Sequence, residues 1–87
     1  MKWELNNMNK TLFKWGNKYL VGKTPNQILD RMMEDIFIHE TIPADYMKAV
    51  AKRAYIYDFS IINTESERHF IDSLIQHKFL IKIEEVH

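Results

Sequence analysis

Eighty-seven residues, 46% apolar and 28% charged, with Lys+Arg and Asp+Glu at 12 each and no Cys, describe one small globular domain and not a disordered tail. The missing Cys excludes a disulfide framework and any thiolate chemistry, and no apolar run reaches membrane-span length. No charged-then-apolar leader opens the chain, so a cytoplasmic protein without a membrane partner is expected, and its zero net charge argues against a broadly basic nucleic-acid binder.

Residues 1–22 admit two readings. Leu5, Met8, Leu12, Trp15 and Tyr19 recur at spacings of three and four, which is one face of a helix. The same region reads as a hairpin over 11–22. Aromatic and β-branched residues flank Gly16 and Asn17, a two-residue loop with Gly in the first central place. Asn6, Asn7 and Asn9 disfavour an early helix, and the hairpin is preferred. Residues 1–23 hold Lys2, Lys10, Lys14, Lys18 and Lys23 against Glu4 alone.

Thr24 and Pro25 open the first helix. The Thr hydroxyl suits the N-cap, Pro suits the first helical place, and Gln27 stands where a capping-box side chain reaches back. Ile28, Leu29, Met32, Met33, Ile36 and Phe37 line one face, which predicts a helix to about His39. This middle region is acidic: Asp30, Glu34, Asp35, Glu40 and Asp45 stand against Arg31. An acidic middle beside a basic head leaves two possibilities. The segments sit against each other, or the head takes an anionic partner.

Pro43 starts a second helix to about Tyr57, with Tyr46, Met47, Val50, Ala51 and Ala54 inward and Lys48, Lys52 and Arg53 elsewhere. Thr64 and Glu67 form a second capping box for a third helix, whose core face is Phe70, Ile71, Leu74 and Ile75. His77 falls at its C-terminus, where positive charge suits the dipole. Phe79, Ile81 and Ile83 then alternate with Leu80, Lys82 and Glu84, a half-buried strand whose partner is the N-terminal hairpin.

Catalytic motifs are lacking: there is no Gly-rich phosphate loop and no nucleophile motif. Glu65, His69 and Asp72 share one helical face, but no second cluster completes a metal site, so they read as a solvated face. The chain is therefore expected to be no enzyme, with no cofactor and no metal. The head interleaves Lys10, Lys14, Lys18 and Lys23 with Trp15 and Tyr19. Lysines attract phosphate and displayed rings stack on unpaired bases. The same rings serve equally well as core, with the lysines merely solvated.

Residues 43–83 resemble a winged helix-turn-helix domain. The matching parts are the helix around Met47, Lys48, Ala49, Val50, Ala51, Lys52 and Arg53, the helix over 64–77, and the run Phe79, Leu80, Ile81, Lys82, Ile83. In that family the third helix enters the major groove, which implies Arg68, His69, Ser73 and Gln76 as its groove-facing residues. Glu65, Glu67 and Asp72 surround Arg68 on this helix and repel phosphate, so protein docking stands as the rival use of the fold. Met8, Met32, Met33 and Met47 are adaptable docking residues or core.

Together these readings predict an α+β, mainly helical single domain, three helices with a small sheet, winged-helix-like. A basic aromatic hairpin or helix over 1–22 precedes a helical core over 24–86 that ends in a strand. The expected function is a non-catalytic nucleic-acid-associated regulator or DNA-replication accessory. It would contact nucleic acid through Lys10, Lys14, Trp15, Lys18, Tyr19, Lys23, Lys48, Lys52, Arg53 and Arg68. The alternative is an adaptor or inhibitor that docks on a larger nucleic-acid enzyme, with a homodimer as a further possibility. Lys in preference to Arg, with frequent Ile and Asn, is the usage of AT-rich coding DNA and suggests a low-GC bacterium or its phages; a small accessory or inhibitor encoded by a phage or mobile element would have this form.

Overall fold

The computed structural model describes residues 10–34 and 41–86. The order is β1 (Lys10–Trp15), β2 (Lys18–Gly22), α1 (Pro25–Met32), α2 (Pro43–Asp58), α3 (Glu67–Gln76) and β3 (Leu80–Val86). This is a small α+β domain of three helices and a three-stranded antiparallel sheet in the order β2-β1-β3. Over residues 10–22 the chain is a hairpin and not a helix. Gly16 takes φ +60° and Asn17 does not, the arrangement of a type II′ turn, whose twist matches the flanking strands.

Strand alternation sorts the sheet into two faces. Phe13, Leu20 and Leu80 are buried beneath the helices, while Lys14, Tyr19 and Ile81 occupy one row on the opposite face, in register across β2, β1 and β3. On β3 the faces are the reverse of the apolar pattern: Leu80 is the inward residue, Ile81 and Ile83 are exposed, and beyond Ile83 both Glu84 and Glu85 are exposed. Phe79 precedes the strand and packs against the core from the corner. A register shift between Leu12 and Phe13 leaves Ile83 as an extra residue on β3.

α1 begins as read, with the Thr24 hydroxyl accepting the Gln27 amide at 3.2 Å. The Gln27 side chain reaches back one residue further than a capping box requires and accepts the Lys23 amide at 2.7 Å. The helix ends at Met32, not at His39. Met33 and Glu34 form a turn, and the buried Met32 carbonyl accepts the Tyr46 hydroxyl at 3.0 Å. Ile36, Phe37 and His39 lie outside the described residues, as do Leu5 and Met8. Gly22 brings β2 close against α1: a Cβ there would meet Ile28 Cδ1 at 2.7 Å and Gln27 Cβ at 3.1 Å.

α2 buries Tyr46, Met47, Val50 and Ala54. Met32 and Met47 are thus core and not docking residues. The helix stops at Phe59, which is left-handed (φ 54°) and donates its amide to the Tyr55 carbonyl at 2.9 Å. The cap of α3 is Ser66 and not Thr64. Ser66 Oγ accepts the His69 amide at 3.2 Å. Asn63 is held by its amide on Ser73 Oγ (3.1 Å) and in turn accepts the Glu65 amide (2.8 Å), so residues 63–65 turn before the helix can start. α3 closes with His77 at its C-cap. Beyond it the Lys78 amide reaches Ile75 and the Phe79 amide reaches Leu74, a Schellman pattern with Lys78 left-handed at φ 64°.

Candidate functional site

The hairpin turn and the α3–β3 corner lie side by side because β1 pairs with β2 on one edge and β3 on the other. Between them is an open depression of about 610 Å³. Lys14, Lys18 and Lys78 line it together with Trp15, Phe79 and Ile81, and no carboxylate takes part. Three cations from two distant stretches of chain therefore converge on one concave surface of a chain with zero net charge.

Local chemistry explains each placement. Lys14 is flanked across the sheet by Tyr19, which is 62% exposed, and by Ile81. Trp15 pairs with Lys18 and Leu80, is half-buried, and packs against the core. Its ring is a wall of the depression and not a freely displayed stacking surface. Lys78 occupies the left-handed place that Gly usually fills after a helix, and that backbone carries it into the depression. No signal at single-residue level marks Lys78 as a member. Only the short helix-to-strand connection, which demands a left-handed residue between His77 and Phe79, hints at it.

The other expected contacts separate from this cluster. Lys10 begins β1 opposite Val86, at the far end of the hairpin from its turn. Lys23 follows β2, half-buried, with its amide engaged by Gln27. Lys48 and Lys52 line a second groove of about 320 Å³ with Ala51, Tyr55 and Ile61, while the exposed Arg53 stands outside it. On α3, Arg68 Nε lies 3.8 Å from Asp72 Oδ2, and the Ser73 hydroxyl is committed to the Asn63 amide. His69 and Gln76 are exposed there. Of the ten residues, Lys14, Trp15 and Lys18 share the depression, with Tyr19 beside Lys14, and Lys48 and Lys52 share the second groove; Lys10, Lys23, Arg53 and Arg68 line neither.

His69 Nδ1 lies 2.7 Å from Ser66 Oγ, but that oxygen also accepts the His69 amide and serves as a helix cap. Among the described residues no three His or acidic side chains converge on a point where an ion would sit, and no helix is long and apolar enough to cross a membrane. Compared with known proteins, the chain matches no family model, no curated sequence and no solved structure.

Proposed function

We propose that this protein is a non-catalytic nucleic-acid-associated module, a regulator or replication accessory, that contacts phosphate at the hairpin turn and the α3–β3 corner. The carrying observation is the convergence of Lys14, Lys18 and Lys78 on one depression without a carboxylate in its lining. Lysines at such a surface bind phosphate as point charges, and the exposed Tyr19 ring beside Lys14 offers a base a stacking face. In a winged-helix reading α3 would enter the groove. Its Arg68 stands beside Asp72 and its neighbours Glu65 and Glu67 repel phosphate, so this proposal puts the contact on the hairpin and not on α3.

Fluorescence anisotropy of labelled single-stranded and duplex oligonucleotides over a salt series tests it. Three phosphate contacts predict a slope of log K against log salt of about −2 for single strands and slightly steeper for duplex. The double change Lys14→Ala, Lys18→Ala should reduce that slope by more than half. An absence of binding at low salt overturns the reading. The rival, an adaptor docking on a larger nucleic-acid enzyme, draws on a different feature: the displayed apolar side chains at the end of α2.

A further inference from the structure

We propose that the lysine-lined depression is selective for single-stranded nucleic acid and takes one unpaired base against its apolar lining. The selectivity rests on the phosphate contacts proposed above and says which kind of strand they hold.

The lining combines two chemistries. Lys14, Lys18 and Lys78 are exposed, whereas Trp15 and Phe79 are half-buried and packed against the core. Ile81 completes the apolar part and is 49% exposed. The ammonium groups stand on flexible stems and can follow a mobile backbone. Rings held by the core lose little freedom when a ligand arrives, so they are ready to receive a flat apolar face. Asn17 at the turn adds a carboxamide, which both donates to and accepts from a base edge. The volume of about 610 Å³ falls within the ~300–1,000 Å³ of sites for small molecules, which gives room for a nucleotide-sized group.

Magnitudes separate the two kinds of strand. A protein that neutralises about 6–10 phosphates can hold a duplex chiefly through charge. The depression offers three lysines on a chain of zero net charge, and Lys10, Lys48 and Lys52 lie elsewhere. Charge alone therefore binds weakly at physiological salt, and the apolar lining has to supply the rest. A duplex cannot use that lining, because its base faces are stacked on one another and only their edges reach the grooves. An unpaired base offers both faces, and one such base on an aromatic or apolar surface strengthens binding roughly tenfold.

The sheet supplies a matching order of groups. Tyr19 and Ile81 flank Lys14 on its two sides, in register across β2, β1 and β3, with about 4.8 Å from strand to strand. The row runs ring, cation, apolar side chain, which is the order of base, phosphate and base along one strand.

Fluorescence anisotropy at physiological salt, with a single strand, its duplex and an abasic strand of the same length, tests the proposal. The abasic strand keeps every phosphate and lacks the bases. Wild type should bind the base-bearing strand roughly tenfold or more tightly than the abasic one, with the same salt slope for both, and more tightly than the duplex. Ile81→Thr keeps a β-branched residue at an outward strand position, so the fold is retained. It should narrow the gap between base-bearing and abasic strands several-fold. Equal affinity for base-bearing and abasic strands, or for single strand and duplex, overturns the selectivity and leaves the phosphate contacts standing. A gap that Ile81→Thr leaves unchanged overturns the placement of the base in the depression. Failure of all three to bind at low salt overturns the phosphate contacts themselves, and the selectivity with them.

Discussion

The Tyr46 hydroxyl donates to the Met32 carbonyl at 3.0 Å in the interior of the domain. The bond ties the first turn of α2 to the last residue of α1, and both side chains are almost wholly buried. A buried carbonyl at a helix end needs such a partner.

Tyr46→Phe keeps the ring and removes the donor. The Met32 carbonyl then loses a hydrogen bond in a place water does not reach, at a cost of about 1–2 kcal/mol. In a domain of this size that lowers Tm by roughly 5–10 °C in a calorimetric or circular-dichroism melt. Oligonucleotide binding should not change, because the bond lies in the core and not at the lysine-lined depression.

Gly22→Ala places a methyl group 2.7 Å from Ile28 Cδ1 and 3.1 Å from Gln27 Cβ. Ile28 is fully buried, so moving its Cδ1 out of the way disturbs the core packed around it. The expected loss is about 1–3 kcal/mol, the range for overpacking a filled core. Gly16→Ala provides the control, since nothing lies within 4 Å of its added Cβ. Its cost is the left-handed backbone alone, about 1–2 kcal/mol. Urea unfolding of both variants separates collision from backbone strain.

The start of α3 distinguishes two neighbouring hydroxyls. Ser66→Ala removes the observed cap and should cost about 1 kcal/mol. Thr64→Ala removes a hydroxyl that caps no helix in the structure and should change the denaturation midpoint by less than about 0.5 kcal/mol equivalent. Equal losses from the two changes would contradict the assigned cap.

Lys78→Gly should act in opposite directions on stability and on binding. Relief of the left-handed Cβ exceeds the added chain entropy of Gly, with a net gain of about 0.5–1 kcal/mol. The same change removes one cation from the depression and should reduce the oligonucleotide salt slope by about 0.7–0.9. A melt and a salt titration on one preparation check both.

Local chemistry was legible in the residues. Thr24 with Pro25 marks a helix start, Gly16 with Asn17 marks a hairpin turn, and the spacing of Tyr46, Met47, Val50 and Ala54 marks a buried stripe. Each signal operates within a turn or two of chain, yet the helical spacing of Leu12, Trp15 and Tyr19 leaves the hairpin one of two readings until the strand pairing decides it. Four features required partners distant in sequence. α1 ends where the Tyr46 hydroxyl meets its last carbonyl. The cap of α3 moves to Ser66 because Ser73 holds Asn63 in the preceding turn. β3 turns Leu80 inward because its register with β1 places Leu80 opposite Trp15 and Ile81 opposite Lys14. Lys78 joins Lys14 and Lys18 only because the sheet sets the α3–β3 corner beside the hairpin turn. Periodicity within one segment carries no information about which other segment will lie against it, and packing between segments supplied what was missing.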